Sequence, residues 1–390
     1  MIFSECIEIN PRVVLEKGKE YPFIEMANVD LFSRSPKAID IKPYSSGVKF
    51  QQGDTVIARI EPCLQNGKGF YVNELNCGFG STEFLVFRPK IEDLDNRFLY
   101  YFLQTDYIRK SMIASMTGAT GRQRVNNDIF DTLEITLPDI NTQSRIADIL
   151  STYDDLIENN QKQIKLLEEA AMRLYKEWFV NLRFPGYETT EIIDGVPEGW
   201  NEGLVKDLGK VITGKTPPTS VKENYGGPIP FVKIPDMHGN IYPLETELTL
   251  SERGANTQRG KLIPANSLMV SCIATVGLVC IAHQPCHTNQ QINSIILNDE
   301  RYLYYAYFKM KGLKSLLEGV GSNGATMTNV NKTKFESLKI IFPDIRVIEI
   351  FNNHVEPMFK SIYTLSKQVL LLRQARDKLL SRLMSGEIEV

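Results

Sequence analysis

Apolar residues recur every three or four positions over two long stretches of the chain, one near its middle and one at its C-terminal end. Spacing of this kind, sustained over four heptads, is typical of helices that pair along one stripe. Each stretch would form a helix of about 40 residues, or roughly 60 Å at 1.5 Å per residue, which is longer than a compact domain normally buries. The stripe residues are Leu150, Tyr153, Ile157, Asn160, Ile164, Leu167, Ala171, Leu174 and Trp178 in the first stretch, and Val355, Met358, Ile362, Leu365, Val369, Leu372, Arg376, Leu379 and Leu383 in the second. The pattern predicts two long helices that form a coiled coil.

The two stripes share one register, because every residue of the second lies 205 positions after its counterpart in the first. Each stripe has one polar interruption, Asn160 or Arg376, of the kind that specifies register at some cost in stability. Two such helices in one chain most simply pair with each other. Duplicated units related by a pseudo-two-fold axis would place them antiparallel.

The rest of the chain is duplicated as well. Three blocks recur in the same order, which indicates a duplication rather than chance similarity. The matching blocks are 21–30 with 229–237, 96–102 (NRFLYYF) with 300–306 (ERYLYYA), and 118–140 (GATGRQRVNNDIFDTLEITLPDI) with 324–345 (GATMTNVNKTKFESLKIIFPDI).

These patterns divide the chain into two globular domains, each followed by a long helix. Strand-like segments alternate with turns in both domains, and each domain has one amphipathic helical segment, so we expect the α+β class with a curved or barrel-like sheet. The predicted strands are 54–60, 82–89, 131–138, 267–274, 291–297 and 337–343. The predicted boundaries are 1–140 for the first domain, 141–183 for the central helix, 184–197 for a linker rich in Pro, Gly and acidic residues, 198–345 for the second domain, and 346–390 for the C-terminal helix.

Composition narrows the class of protein. An apolar content of 43% with 9% aromatic residues is typical of a folded protein, and no apolar run reaches the length of a membrane span. With no signal-like N-terminus, we expect a cytoplasmic protein that does not contact membranes. The net charge of −3 predicts no global basic field, although 109–124 holds four basic side chains and no acidic one. Such a run is also typical of an ordinary solvated face.

Two short stretches suggest chemistry. Cys280, His283, Cys286 and His287 lie within eight residues, but their spacing matches no common zinc finger and also fits buried thiols at a strand edge. Residues 209–216 read G-x-x-x-x-G-K-T, the phosphate-binding P-loop pattern.

A P-loop requires a strand before the motif and a helix after it. Here the apolar pair Val211 and Ile212 lies inside the motif, and Pro217-Pro218 follows it at once. Two prolines followed by further turn residues disfavour a sustained helix. The first domain has 9–12 at the approximately matching place, without a G-K-T. These observations argue against nucleotide binding.

Signatures of catalysis are also missing from the sequence. No glycine-rich dinucleotide fingerprint follows a strand, no N/D-P-P-Y/F/W tetrapeptide marks an amino-methyltransferase, and no nuclease-like D…E-x-K set stands out. We therefore expect a binding protein rather than an enzyme.

The order of these features resembles the DNA-specificity subunits of type I restriction–modification systems over nearly the whole chain. The resemblance rests on TGKTPPTS…YGGPIPFVKIPDM (213–237), on the repeated V-N-x-x-x-F-x-x-L-x-I-x-x-P-D-I, and on YKEWFVNLRFPGYE (175–188) at the end of the first helix. The first domain departs from the family pattern, because it lacks G-K-T-P.

The resemblance implies two target recognition domains that each read one half of a split, asymmetric double-stranded DNA sequence in the major groove. It implies that the antiparallel helices set the gap between the half-sites. Partners would be two methyltransferase subunits and restriction/translocase subunits, which would carry S-adenosylmethionine and ATP, so that this chain would bind no cofactor or metal and catalyse nothing. Phe179 and Phe184 are expected to be anchors for a methyltransferase.

Loop residues able to donate to base edges and phosphates are the predicted DNA contacts. In the first domain they are Arg59, Lys68, Thr120, Arg122, Gln123 and Arg124. In the second they are Lys215, Thr216, Lys233, His238, Thr288, Asn289, Gln290, Gln291, Thr326, Asn329 and Lys332. Asn126 and Asn331 occupy equivalent repeat positions and are expected to cap turns instead.

Two other functions remain open from sequence alone. One is a coiled-coil scaffold whose globular domains bind protein or carbohydrate. The other is a nucleotidase that uses Lys215.

Overall fold

The computed structural model describes residues 1–30, 33–320 and 330–390, with side chains described throughout these ranges except at 313–320. The chain forms two compact units. Unit 1 comprises Met1–Asn159 and Val369–Val390, and unit 2 comprises Asn160–Gln368. Because this division cuts both long helices, it does not test the predicted domain boundaries, which stay a prediction.

Within its described residues, unit 1 contains two four-stranded sheets, with strand orders β1-β8-β5-β6 and β3-β2-β7-β4. The strands are β1 (Ile7–Ile9), β2 (Glu20–Ile24), β3 (Asp40–Pro43), β4 (Val48–Gln51), β5 (Thr55–Ala58), β6 (Gly69–Tyr71), β7 (Cys77–Gly80) and β8 (Phe84–Pro89). The helices are α1 (Phe3–Cys6), α2 (Asn96–Phe102), α3 (Asp106–Ala114) and α4 (Ile140–Tyr175), of which α4 continues into unit 2.

Unit 2 contains, as far as it is described, one four-stranded sheet (β12-β18-β15-β16), one three-stranded sheet (β14-β13-β17) and two strand pairs (β9-β10 and β11-β19). The strands are β9 (Ile192–Ile193), β10 (Val196–Pro197), β11 (Asn201–Leu204), β12 (Gly209–Thr213), β13 (Tyr225–Val232), β14 (Leu248–Leu250), β15 (Leu268–Ser271), β16 (Val279–Ile281), β17 (His287–Thr288), β18 (Ile292–Leu297) and β19 (Lys339–Phe342). The helices are α5 (Val205–Leu208), α6 (Ile234–Met237), α7 (Glu252–Asn256), α8 (Leu303–Val320), α9 (Lys332–Glu336) and α10 (Ile345–Met384), of which α10 ends in unit 1.

The two units repeat one topology, which confirms the duplication. The order β1-β8-β5-β6 corresponds to β12-β18-β15-β16. In the second sheet of each unit, a strand pairs in parallel with one neighbour and antiparallel with the other: β2 with β7 and β3, and β13 with β17 and β14. Both units therefore belong to the α+β class, as the sequence predicted, whereas the barrel-like closure of the sheets stays a prediction.

One predicted strand is wrong. Segment 131–138 has only an isolated bridge, between Glu134 and Ile2, whereas its counterpart β19 pairs with β11 over four residues. The difference comes from the partner, because the chain opposite this segment forms helix α1 from Phe3 and the pairing does not continue past Ile2 in that direction.

Both long helices are confirmed, as α4 and α10, and α4 ends in a π-helical turn over Lys176–Val180. Every predicted stripe residue is buried or half-buried, as expected for the contact face of a helix. Pro357 lies inside α10, which continues through it although proline has no N–H to donate. Within the described residues, no helix combines the length and apolarity needed to cross a membrane.

The two long helices contact each other within each unit. In unit 1, Arg376 forms an ion pair with Asp154. In unit 2, the Asn160 amide donates to Gln368 Oε1 over 3.3 Å, and the rings of Trp178 and Phe351 lie 5.9 Å apart. Residue numbers rise along α4 while those of their α10 partners fall, so the helix segments of unit 2 run antiparallel. Asn160 and Arg376, the polar residues that interrupt the two stripes, therefore both have partners. These contacts do not test whether the helices supercoil.

Candidate nucleic-acid interface

In unit 1, the loop 117–125 lies beside the segment that follows β5. Ile60 forms a bridge with Arg124, the Val125 N–H donates to the Arg59 carbonyl over 2.9 Å, and Arg59 Nη2 donates to the Val125 carbonyl over 3.0 Å. Lys68 lies beside the start of the same segment, because its carbonyl accepts from the Ala58 N–H. The fold therefore brings together predicted contacts that are far apart in sequence.

Two carboxylates hold this loop. Glu61 Oε2 accepts from the backbone N–H groups of Gly121 (2.9 Å) and Gln123 (3.4 Å). Glu83 accepts two hydrogen bonds from Arg124, of 2.8 and 2.6 Å. The hydrogen bond from Arg124 is the main reason that the pKa of Glu83 is lowered. These hydrogen bonds connect the loop to Glu61 and Glu83.

The loop's side chains differ in how free they are. Arg124 is occupied by Glu83, and Lys68 Nζ donates to the Met26 carbonyl over 2.9 Å. Thr120 and Arg122 are exposed at the tip, and among the described residues the Arg122 side chain has no hydrogen-bond or ion-pair partner. Arg122 is thus the cation of this loop best placed to meet a phosphate or a base.

In unit 2, the G-K-T stretch is a strand followed by an extended loop. Strand β12 ends at Thr213, inside the motif, and the next regular element is a 3₁₀ turn over Lys222–Asn224. Since no helix begins behind Lys215, the geometry that holds a nucleotide phosphate at a helix N-terminus is not formed. As the sequence predicted, the two prolines and the strand that lies inside the motif leave no P-loop geometry here.

Gly214 instead allows two backbone segments to approach each other closely. A Cβ atom there would lie 2.2 Å from the carbonyl oxygens of both Thr288 and Asn289. The Lys215 N–H donates to the Thr288 carbonyl over 2.9 Å, and Thr216 Oγ1 donates to Gln290 Oε1 over 2.6 Å. The loop 213–216 and the loop 288–291 therefore form one continuous edge.

Other predicted contacts of unit 2 lie on or near this edge. The Asn289 N–H donates to the Val232 carbonyl over 3.2 Å, which places Lys233 alongside. Thr288 and Asn289 are buried, and Asn289 Nδ2 donates to Gln291 Oε1 over 2.9 Å. Lys215 and Gln290 are exposed. The buried pair therefore shapes the edge, and the exposed pair is available to a ligand.

Two of the predicted cations in unit 2 already have an acidic partner. Lys233 is paired with Glu247 at 2.6 Å, and Lys332 begins α9 and is paired with Glu336 at 3.3 Å. His238 follows α6 and is exposed. Thr326 and Asn329 lie outside the described residues.

The strand registers identify two positions that the sequence reasoning missed. Ile9 pairs with Phe87 in unit 1 as Val211 pairs with Ile295 in unit 2. The segment 81–83 before β8 therefore matches 289–291 before β18, and Arg12 matches Gly214. Thr82 and Arg12 are exposed. Extending the repeat alignment through these strands would have found both.

Asn126 and Asn331 are turn caps, as predicted. Asn126 Oδ1 accepts from the Asp128 N–H at 3.2 Å, and Asn331 Oδ1 accepts from the Lys334 N–H at 2.9 Å.

The aromatic residues expected to anchor a partner pack within unit 2. Phe184 is only 4% exposed and its ring lies 4.9 Å from that of Trp200. Phe179 is half-buried and contacts Tyr305 and Phe351, both at 4.9 Å between ring centroids. Both rings thus have a packing role, and docking at them stays a prediction.

The Cys-His stretch lies in the core of unit 2. Cys280 and Cys286 are buried, Cys280 Sγ donates to the Asn240 carbonyl over 2.9 Å, and burial raises the pKa of Cys286 to about 12. In the part of the chain that is described, no group of three or more His, Cys, Asp or Glu side chains is arranged to hold a metal ion.

Comparison with known proteins places this architecture. Residues 8–169 and 197–351 match the family described as "Type I restriction modification DNA specificity domain". The chain is 34% identical to the type I restriction enzyme HindI specificity subunit of Haemophilus influenzae, over 99% of this chain and 95% of that protein. It is 27% identical to the type I restriction enzyme MjaIX specificity subunit of Methanocaldococcus jannaschii, over 76% of this chain and 69% of that protein.

A solved structure agrees in fold. The type I restriction–modification S subunit from M. genitalium superposes with a TM-score of 0.57, at 14% identity, over 98% of this chain and 95% of that one. The matched family, the extended similarity to specificity subunits and the duplicated topology all agree. The chain belongs to the type I restriction–modification DNA specificity family, as a specificity subunit with two specificity domains.

Proposed function

We propose that this subunit reads a split, asymmetric double-stranded DNA target, with one half-site recognised in the major groove by each unit, and that it catalyses no reaction itself. The observation that carries the proposal is that one topology presents different side chains at equivalent loop positions. The segment before β8 is Ser81-Thr82-Glu83, and its counterpart before β18 is Asn289-Gln290-Gln291. Two different half-sites present different base edges. Reading both with one fold therefore requires different donors and acceptors at equivalent positions.

The long helices would serve as the spacer between the half-sites. We propose that α4 and α10 pair as an antiparallel coiled coil, supported by their buried stripes and by the paired polar residues Asn160 and Arg376. The sheets would curve into barrel-like recognition domains. Two methyltransferase subunits and the restriction/translocase subunits would dock on this frame, with Phe179 and Phe184 near one contact. Those partners would carry S-adenosylmethionine and ATP, and the complex would work in the cytoplasm. A scaffold that binds protein or carbohydrate is not favoured, given the family.

The test of this function is the methylome of a strain that carries this gene with its methyltransferase partner. We expect one bipartite adenine-methylated motif that disappears when this gene is deleted. Replacing residues 1–140 with another recognition domain should change one half-site and leave the other intact. A motif that persists without the gene, or an exchange that changes both halves, would contradict the proposal.

Arg122 offers a narrower prediction. Arg122→Ala should weaken DNA binding by the assembled methyltransferase and lower the slope of log K against log salt by about one, because it removes one phosphate contact. The melting temperature should not change, since the side chain has no partner among the described residues. Arg124→Ala is the matched comparison, because Arg124 supports the loop through Glu83 and its loss should lower the melting temperature as well. An unchanged salt slope for Arg122→Ala would count against a phosphate contact.

A further inference from the structure

The globular part of unit 1 is attached to helix α4 at two places. The first is α2, which packs with Ile146, Ala147 and Leu150 of α4 and whose Tyr101 Oη donates to Asp154 over 2.6 Å. The second is polar and lies further along the helix, where Arg34 reaches Asp155 and Glu158. Glu158 lies eleven positions after Ala147 and four after Asp154, or about 16 and 6 Å along a helix at 1.5 Å per residue.

The second attachment is built to be specific. Arg34 Nε donates to Glu158 Oε1 over 3.1 Å, and its Nη2 donates to Glu158 Oε2 and to Asp155 Oδ1, both over 2.6 Å. Ser35 Oγ donates to Glu158 Oε1 over 2.8 Å. The Arg34 side chain is only 10% exposed, and a two-pronged guanidinium–carboxylate contact fixes angle as well as distance.

Arg34 is also fixed to the sheet. Its carbonyl accepts from the N–H of Tyr71, the last residue of β6, over 2.9 Å. A hydrogen-bonded connection therefore runs from the sheet through Arg34 to the helix.

Unit 2 makes an attachment at the equivalent place with unrelated side chains. The N–H of Ile281, the last residue of β16, donates to the Ile241 carbonyl over 2.8 Å, which makes Ile241 the counterpart of Arg34 and Tyr242 the counterpart of Ser35. The counterpart of Glu158, 205 positions later, is Tyr363. The rings of Tyr242 and Tyr363 lie 5.2 Å apart. A contact kept at the same place with different chemistry indicates that its position, rather than the kind of bond, is what matters.

We propose that Arg34 is a positioning residue that fixes the angle of the unit 1 recognition domain on α4, and thereby the number of base pairs allowed between the half-sites. This inference rests on the proposed function. Without Arg34 the domain is held to α4 by α2 alone and can tilt about it, whereas the contact at Arg34, from a separate part of the chain, prevents that tilt. One base pair changes the position of a half-site by about 3.4 Å and its rotation by roughly one tenth of a turn, so a small pivot is enough to admit a neighbouring spacing.

The experiment is methylome sequencing of strains in which the full-length chain, with its methyltransferase partner, is wild type or Arg34→Ala. We expect wild type to methylate one spacer length. We expect Arg34→Ala to raise methylation at spacers one base pair longer or shorter by about tenfold, a change that corresponds to 1.4 kcal/mol. The bases read in both half-sites should stay the same, which a general loss of stability would not produce.

Three further variants decide the interpretation. Lys42→Ala removes an exposed ion pair with Glu25 in the same domain, away from α4, and should leave the spacer unchanged. Tyr242→Ala should relax the spacer from the unit 2 side. Arg34→Lys keeps the charge without the two-pronged contact and should relax the spacer in part, and it decides the matter if Arg34→Ala does not fold.

Full methylation at the wild-type spacer alone, in both Arg34 variants, would overturn the positioning role while leaving the proposed function intact. Relaxation by Lys42→Ala equal to that of Arg34→Ala would overturn it as well. Failure of the proposed function would be visible separately, as the absence of any split motif in the wild-type strain.

Discussion

Replacing Arg376 with alanine is expected to lower the free energy of unfolding by about 3–5 kcal/mol, which is the usual consequence of leaving one member of a buried ion pair alone. Arg376 is 3% exposed and its partner Asp154 is 2% exposed, so the substitution leaves a buried carboxylate without its counter-ion. Among the described residues, Asp154 would keep the hydrogen bond from Tyr101 Oη, of 2.6 Å. Chemical denaturation of the full-length chain, followed by circular dichroism, measures the loss.

The second copy of the repeat supplies the matched control. The counterparts of Asp154 and Arg376 are Phe359 and Ala171, and both are fully buried in unit 2. The double variant Asp154→Phe with Arg376→Ala therefore installs a pair that this chain already packs at the equivalent position. Replacing a buried ion pair by apolar residues of suitable size is often neutral, so the double variant should recover most of the stability lost by Arg376→Ala. In the double variant the Tyr101 hydroxyl loses Asp154 as its acceptor, and adding Tyr101→Phe removes that hydroxyl. A double variant as unstable as the single one would show that the two positions are not equivalent.

The loss caused by Arg376→Ala should shrink as the pH falls. Burial raises the pKa of Asp154, and in the wild type Arg376 opposes that effect. Without Arg376, the folded-state pKa rises further above the unfolded value, so the folded state takes up a proton first as the pH falls. A carboxyl whose pKa is raised in the folded state lowers the free energy of unfolding at pH values above that pKa. This loss disappears as the pH falls to the pKa that the carboxyl has in the unfolded state. An equal loss at neutral and acidic pH would mean that Asp154 is not the group left unpaired.

Gly214→Ala is expected to abolish recognition by unit 2 while the helices and unit 1 remain folded. The added methyl would lie 2.2 Å from two carbonyl oxygens of the facing loop, against ordinary contacts of 3.4 Å or more. The loops 213–216 and 288–291 must therefore separate, at a cost of about 1–3 kcal/mol for overpacking. Methylation at the wild-type target should fall to background, and the melting transition should move down.

Two substitutions in the same unit are the controls for Gly214→Ala. Gly260 has no atom within 4 Å of the position a Cβ would take, so Gly260→Ala should leave folding and methylation unchanged. Lys215→Ala removes an exposed side chain next to Gly214 and should weaken DNA binding without changing the melting temperature. It also tests the nucleotidase alternative, in which ATP turnover would depend on Lys215. We expect the wild type to show no ATP turnover that this substitution could remove. Wild-type methylation by Gly214→Ala would show that this edge does not take part in recognition.

Local and periodic features of this chain were readable from its sequence. The helix stripes of α4 and α10 needed only their repeat of three and four, because a helix places those positions on one face. The duplication needed only matching blocks in matching order. The caps at Asn126 and Asn331 and the absence of a helix after Pro217-Pro218 followed from local backbone chemistry.

Pairing between distant residues was decided by the tertiary structure alone. Glu83 occupies Arg124, Glu247 occupies Lys233, and Glu158 holds Arg34, although the last two are 124 positions apart in sequence. The predicted strand 131–138 failed for the same reason, since a ladder depends on the conformation of its partner as much as on its own residues. Ion pairs and ladders form between groups that only the folded chain brings within about 3 Å, and no local spacing in the sequence records which group of opposite charge will be there. The sequence thus determined which elements this subunit has and that they occur twice, and the fold decided which of its cations are free to meet DNA.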